Sequence, residues 1–335
     1  MDEGTRGSEV KLYVPLYCLG LKQGRFSLSS FIRLVQIIRR EQPDVVQGWM
    51  YHANLISTFA NFICRKKLYW NIRHSLADIS HEKLFTRLVI RLNAWFSFLP
   101  VRILNNSNVS IAQHEKAGFK QSKSYYIANG FDIGLFNNID LMTKKQLREK
   151  YALPIDVCLI GHVARFHPVK NHLGLVKSFS SVAENDSSVY CVMAGTDVNS
   201  ENECLMEAIY ATSTRERFIL LGEQNKPFEL YQCFDFLVLP SWGEGFPNVI
   251  GEAMSCGVPC IASDVGDSAS LVGSTGFVYE PDNEHGLESA LKTALQLDVN
   301  DYLELSAAAR KRIVENFSIE NIYEQYMDIY RAGSN

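Results

Sequence analysis

Short apolar runs rich in Val, Ile, Leu and Phe alternate with amphipathic stretches along nearly the whole chain. Strand-like runs alternating with helical periodicity predict parallel sheets joined by crossover helices. In the first part, Val10–Leu16, Asp44–Met50, Lys67–Ile72, Ile103–Ser107 and Tyr125–Ala128 read as strands. Between them, helices are expected over Ser29–Arg40 with Ser29 as N-cap, His52–Arg65 and Lys83–Phe98. Later strands are expected at Val157–Gly161, Val189–Gly195, Phe218–Leu221, Phe236–Pro240, Pro259–Ser263 and Phe277–Tyr279. The helices that follow are Asn171–Ala183, Asn202–Thr212, Pro227–Cys233, Pro247–Cys256, His285–Leu297, Tyr302–Glu315 and Ile319–Arg331.

This order describes an α/β chain with two doubly wound, Rossmann-like domains facing a cleft, and ligand outside the carboxyl ends of the strands. The length of 335 residues agrees with two domains. The first would span residues 1–136, a polar linker 137–153, and the second 154–316. Residues 317–335 would form a C-terminal helix packing back toward the first domain.

Composition narrows the classes. Apolar residues make up 47% and charged residues 21%, which excludes a disordered chain. The eight cysteines form no C-x-x-C pair, and most lie in apolar runs, so they read as reduced, buried thiols of a cytoplasmic protein. No stretch approaches the ~20 apolar residues of a membrane span, and the polar start MDEGTRGSE shows no leader. The net charge of −4 hides a split. Residues 1–150 carry 22 Lys and Arg against 11 Asp and Glu, and residues 151–335 carry 11 against 26. A basic half meets either an anionic partner or the acidic half of its own chain. Its cations are not interleaved with aromatics as in a nucleic-acid module, so no nucleic-acid partner is expected.

Two loops carry candidate chemistry. In Ser241-Trp242-Gly243-Glu244-Gly245-Phe246-Pro247-Asn248-Val249, a strand ends, a Gly-rich loop follows, and a helix starts with Pro247 near its first position. Free N–H groups at such a start form a phosphate site, and Glu244 and Glu252 flank it. Carboxylates bind phosphate poorly but accept bonds from sugar hydroxyls, so the pair suits a sugar attached to a phosphate. A plain βα turn with acidic residues complementing the helix dipole is the alternative. In Gly161-His162-Val163-Ala164-Arg165-Phe166-His167-Pro168-Val169-Lys170, Arg165 and Lys170 share a second βα loop. They suit a diphosphate as ligand and leaving group, or are two solvated loop cations.

Arg165-(x4)-Lys170, Glu244-Gly-Phe-Pro-Asn-(x3)-Glu252 and Ala253-Met254-Ser255-Cys256-Gly257-Val258-Pro259 together resemble the retaining family-4 glycosyltransferases of GT-B fold. Asn129-Gly130-Phe131-Asp132 with Phe136, Asn106-Ser107, His114, Gly118 and Pro43–Gln47 are similar to first-domain segments of that family. The resemblance covers roughly residues 25–330. It implies transfer of a hexose-type sugar, with retention, from a nucleotide-diphosphate-sugar to a hydroxyl of a lipid-linked or glycan acceptor, in cell-surface polysaccharide or glycolipid synthesis. It also implies residue roles: Arg165 and Lys170 on the diphosphate, Glu252 on the ribose, Glu244 on the sugar, and His74 reaching the sugar from the first domain. The neighbourhood of Gly161 and backbone amides around Gly245, Phe246, Pro247, Asn248 and Val249 complete the donor site. His52, His81, His162, His167 and His172 match nothing in the pattern and read as structural or surface residues.

The family's usual opening strand and Gly-Gly loop have no counterpart, so the first domain is expected to be incomplete. Two other readings stay open. One is a non-catalytic nucleotide-sugar-binding subunit of a split transferase; the other is a GT-B sugar-nucleotide epimerase. No D-x-D and no zinc spacing occurs, so neither metal nor cofactor is expected. On Lys83–Phe98, residues Leu84, Phe85, Leu88, Val89, Leu92, Trp95, Phe96 and Leu99 share an apolar face beside the cationic stripe Lys83, Arg87 and Arg91. The apolar face is expected to cover a sheet. The stripe and Arg65-Lys66-Lys67 would meet an anionic membrane surface, making the protein peripheral on the cytoplasmic face.

Overall fold

The structure, a computed structural model, describes residues 7–20, 27–76 and 83–333. The chain divides into two compact units. One comprises Met1–Asn105, Ser110–Tyr126 and Ile329–Asn335; the other comprises Asn106–Val109 and Ile127–Asp328.

The first unit opens with a short helix, α1 (Gly7–Val10), and the amphipathic α2 (Leu28–Glu41). Four parallel strands follow: β1 (Val45–Trp49), β2 (Lys67–Ile72), β3 (Arg102–Asn105) and β4 (Ser124–Tyr126), in spatial order β1-β2-β3-β4. Their crossovers are α3 (Met50–Cys64), α4 (Leu84–Phe96) and α5 (Asn108–Lys116). A central parallel strand is covered on both faces, so it reads as a continuous buried run. In β2, Leu68 through Ile72 are all buried. Leu68, Trp70 and Ile72 pack with Val89, Ile90, Ile103 and Phe119. Trp70 satisfies its indole N–H by donating to Thr58 Oγ1 at 3.1 Å, while Tyr69 meets the Tyr330 ring edge-on at 5.1 Å.

The second unit holds six parallel strands: β5 (Cys158–Val163), β6 (Val189–Ala194), β7 (Phe218–Leu220), β8 (Phe236–Leu239), β9 (Cys260–Ser263) and β10 (Phe277–Tyr279). Their order is β10-β9-β8-β5-β6-β7. The chain runs outward from β5 to β7, then returns to the other side of β5 with β8. The loops leaving β5 and β8 therefore diverge at a topological switch point, where open α/β sheets bind ligands. Helices α6 (Leu141–Lys150), α7 (His172–Ala183), α8 (Glu203–Tyr210), α9 (Pro227–Tyr231), α10 (Asn248–Ser255), α11 (Ser268–Val272), α12 (Gly286–Leu295), α13 (Val299–Asn316) and α14 (Ile319–Ala332) complete the chain. The core of this unit joins Ile160, Phe179, Cys191, Met193, Val238 and Ile261 with Leu287 and Leu291.

Several sequence expectations are corrected. Val10–Leu16 is no strand. It carries the end of α1 and a turn, and Leu12, Tyr13 and Val14 are exposed. Apolar alternation makes a strand only where a neighbouring strand accepts its ladder. The N-cap of α2 is Ser27, whose hydroxyl accepts from Ser30 N at 3.3 Å; Ser29 lies inside the helix. Residues 137–153 are not a plain linker. Asp140 caps α6, and Lys144 and Arg148 of α6 bind Asp235 at 2.6 and 2.7 Å, so charge pairing folds a polar stretch onto the second unit. Helices α5 and α11 were not foreseen. Ser107, expected at a strand end, instead donates its hydroxyl to Asp267 at 2.8 Å, and Asn108 N donates to the same carboxylate. Burial raises the Asp267 pKa against those bonds. Four of the cysteines are buried, but Cys204 is exposed.

Candidate active site

Two loops at the switch point carry the charged side chains. After β5 the backbone keeps bonding to the β6 strand line, with Ala164 N on Ala194 O and Phe166 N on Thr196 O. This close run requires Gly195, whose φ is +147° and whose missing Cβ would sit 2.1 Å from Ala164 O. Arg165 projects to solvent from this loop. The loop ends in a single 3₁₀ turn, Pro168–Lys170, started by His167, whose ring accepts from Val169 N at 3.2 Å.

The loop after β8 is tied to it. Trp242 N donates to Val169 O at 2.8 Å, and Lys170 Nζ donates to Glu244 Oε1 at 2.5 Å. The two residues lie 74 positions apart in sequence. Their pairing gives each a partner of opposite charge where Coulomb attraction is screened less than on an open surface. A third segment supports the loop. Asp267 N donates to Gly245 O, and Gly266, at φ +59°, passes so close that its Cβ would lie 2.4 Å from that carbonyl.

Pro247 is the N-cap of α10 and not its first helical residue; no side chain caps the helix start. The first amides of a helix without a side-chain cap are available to an anion. Asn248 is exposed, and its amide oxygen accepts from Asn129 Nδ2 at 2.6 Å. Val249 follows in the first turn. Glu252 Oε2 accepts the Tyr231 hydroxyl at 2.7 Å. Burial raises the Glu252 pKa, and the Tyr231 bond works against that rise.

Gly161 and the side chain of Phe246 serve the core. Gly161 is buried inside β5, where a Cβ would lie 2.1 Å from the Phe234 ring; it makes room for that ring. The Phe246 side chain is buried between Phe131 and Phe317, with ring centroids 6.2 and 6.3 Å away, leaving only its backbone for a ligand.

His74 lies in the first unit, in the loop after β2. Its Nδ1 is 3.3 Å from the Tyr51 hydroxyl, which is also 2.8 Å from His114 Nε2. His114 Nδ1 in turn contacts Ser110 O at 2.7 Å. Burial lowers the His114 pKa to about 4, so it is neutral near pH 7. Tyr51 and Tyr231 were missed in sequence, since a lone Tyr in an apolar run carries no signal of its partner.

The histidines left aside divide. His162 and His172 are buried with rings 4.5 Å apart beneath the Arg165–Lys170 loop, and burial lowers their pKa values to about 3 and 4. His52 and His167 are exposed, and His81 lies outside the described residues. Among the described residues, no three His, Cys, Asp or Glu side chains converge as a metal group. None of the helices described is long and apolar enough to cross a membrane.

The comparisons with known proteins follow this geometry. The family model "Glycosyl transferases group 1" matches residues 143–312, which hold both switch-point loops. N-acetyl-alpha-D-glucosaminyl L-malate synthase of Bacillus anthracis is 30% identical over 190 residues, 55% of this chain and 48% of its own length. The chain thus spans about half of that relative. UDP-Gal:alpha-D-GlcNAc-diphosphoundecaprenol alpha-1,3-galactosyltransferase of Escherichia coli is 24% identical over 342 residues, 98% of this chain and 84% of its own. Among solved structures, Anabaena HepE in complex with UDP superposes with a TM-score of 0.79 at 22% identity, covering 90% of this chain and 82% of that one. That likeness shows the GT-B fold, with its two parallel-sheet domains. With the family model matching half of its residues, the chain belongs to the group 1 glycosyl transferases.

Proposed function

We propose that this protein transfers a hexose-type sugar from a nucleotide-diphosphate-sugar to a hydroxyl of a lipid-linked glycan, with retention, in the assembly of a cell-surface polysaccharide or glycolipid. The carrying observation is the Lys170–Glu244 pair bridging the two switch-point loops, with Arg165 in the same loop as Lys170. The Escherichia coli relative, whose acceptor by its name is a diphosphoundecaprenol-linked sugar, supports the lipid-linked acceptor.

In this reading, Arg165 and Lys170 neutralise charge developing on the leaving diphosphate, the kind of electrostatic contact that dominates many rate enhancements. Glu244 accepts a sugar hydroxyl, and Glu252 accepts the ribose. The start of α10 offers its amides to phosphate and sugar. The bond between the anomeric carbon and the diphosphate oxygen breaks as the acceptor oxygen bonds to the same face of that carbon. The acceptor proton passes to the leaving phosphate oxygen, giving a nucleoside diphosphate and the glycoside. No protein nucleophile and no metal ion takes part, and the protein works as a peripheral enzyme at the cytoplasmic face.

The test is a donor screen. Purified protein is given UDP-, GDP- and ADP-sugars with a lipid-diphosphate-linked sugar, and nucleotide release and product anomeric configuration are measured. Release from one donor class that depends on acceptor, with a retained product, is expected. No acceptor-dependent release from any donor overturns the reading.

A further inference from the structure

The helices that cover the first unit's sheet carry a second apolar face turned outward. On α4, Val89, Ile90 and Asn93 are buried. Leu84, Phe85, Leu88 and Trp95 are exposed, Leu88 at 53% and Trp95 at 73%. The expectation that this helix spends its apolar face on the sheet therefore holds for only part of it. On α3, Phe59, Phe62 and Ile63 are exposed too, Phe62 at 56%. The two sets form one ridge. Phe62 lies 6.4 Å from Phe59, Phe59 5.7 Å from Phe96, and Phe96 5.5 Å from Trp95, ring centroid to centroid. At its Trp95 end the ridge borders a cavity of about 580 Å³ lined by Trp95, Phe98, Phe119 and Lys120.

The charges carried by the residues of α3 and α4 have one sign. Neither α3 nor α4 contains an acidic residue. Arg87 and Arg91 stand one turn apart on α4, and Arg65, Lys66 and Lys67 follow α3 directly.

We propose that this face of α3 and α4 docks on an anionic lipid bilayer, with the aromatic ridge at the head-group boundary and the cations on the head groups. The proposal rests on the lipid-linked acceptor reading above and names the surface that would bring the enzyme to such an acceptor. Water-facing apolar patches of this kind mark protein or membrane contacts. The choice of a bilayer follows from charge. A face with exposed Trp, Phe and Leu, several cations and no acid in either helix has the composition of an interfacial anchor, which gains from apolar insertion and from anionic lipid together. Each cation near such a surface strengthens binding about fivefold at low salt, and screening removes that gain.

Sedimentation of the full chain with vesicles tests this. Vesicles of phosphatidylcholine alone are compared with vesicles containing phosphatidylglycerol, at low and high ionic strength. The variants are Phe62→Ser with Trp95→Ser, and Arg87→Glu with Arg91→Glu, each checked for native circular dichroism. Binding is expected only with phosphatidylglycerol, reduced at high salt, and weakened at least tenfold in each double variant. Because Phe62 and Trp95 are already exposed, their replacement is expected to leave the fold intact. A second measurement, the blue shift of parent Trp emission on vesicle addition, is expected to shrink in Trp95→Phe. Unchanged binding by both double variants, binding indifferent to lipid charge, or a dimer of the parent that Trp95→Ser dissociates would overturn the proposal. Vesicle binding is read without turnover. Failure of every donor to react would sink the transferase reading while leaving this result standing, and the reverse holds as well.

Discussion

Tyr231, at the end of α9, donates its hydroxyl to Oε2 of Glu252 on α10 at 2.7 Å, and the Tyr231 side chain is almost wholly buried. The bond holds the carboxylate in one orientation and leaves Oε1 available for a ligand. It also favours the ionised form of a carboxyl that burial pushes toward neutrality.

Tyr231→Phe removes that bond while keeping the ring. A lost hydrogen bond to a charged acceptor is worth about tenfold to about 150-fold in an equilibrium, so donor KM is expected to rise toward that range with kcat changed little. The acid limb of the KM profile is expected to move to higher pH, because Glu252 then protonates more readily. Comparing ribonucleotide with 2′- and 3′-deoxyribonucleotide affinity tests the orientation: the variant's effect should vanish with the analogue lacking the hydroxyl that Glu252 accepts. An equal effect on every analogue would assign Tyr231 to packing alone.

Arg165→Ala and Lys170→Ala are each expected to lower kcat by about 10²–10³, the usual cost of one transition-state electrostatic contact. Lys170→Ala also strands Glu244 beside the loop. Steady-state turnover with circular dichroism as a control checks both. Near-normal turnover in both variants would move the site elsewhere.

Turnover is expected to survive excess EDTA, since among the described residues no three His, Cys, Asp or Glu side chains converge as a metal group. Loss on chelation with recovery on adding Mg²⁺ or Mn²⁺ would show that metal chemistry belongs in the reaction.

Asp235 joins α6 to the second sheet through Lys144, Arg148 and the Leu159 amide. Asp235→Ala leaves the Arg148 guanidinium buried without its anion, and breaking a buried pair in this way costs about 3–5 kcal/mol. The urea-unfolding transition of the second unit is the measurement. A shift under about 1 kcal/mol, the scale of an exposed pair, would mean that the pair is effectively solvated.

His114, His162 and His172 are held neutral by burial, with pKa values of about 4, 3 and 4 against an ordinary value of 6.5. The unfolded chain therefore binds more protons below pH 6.5 than the folded one, and stability falls as pH drops from there toward about 4. Thermal melts between pH 7 and pH 4.5 should show Tm falling. His162→Gln, which stays neutral, should flatten part of the slope in the second unit.

The order of strands and helices was legible in the chain because apolar periodicity is local. Lys67–Ile72 and Phe277–Tyr279 are strands as their own residues dictate, and the two loop motifs carry Arg165, Lys170, Glu244 and Glu252 wherever their strands end. What each motif touches was decided by strand order. The return of the chain to β8 beside β5 sets Lys170 against Glu244, and the packing of α9 on α10 sets Tyr231 against Glu252. No periodicity encodes a meeting between residues far apart in sequence. The same limit explains Val10–Leu16, where alternation is present but no strand among the described residues accepts a ladder, and Gly161, a motif glycine whose space is filled by Phe234. It explains α4 as well: an apolar residue has the same place in the sequence pattern whether it faces a sheet or water. Only the tertiary packing, in which one arc of the helix fills the space above β2 and β3, determines which of its hydrophobic side chains remain outside.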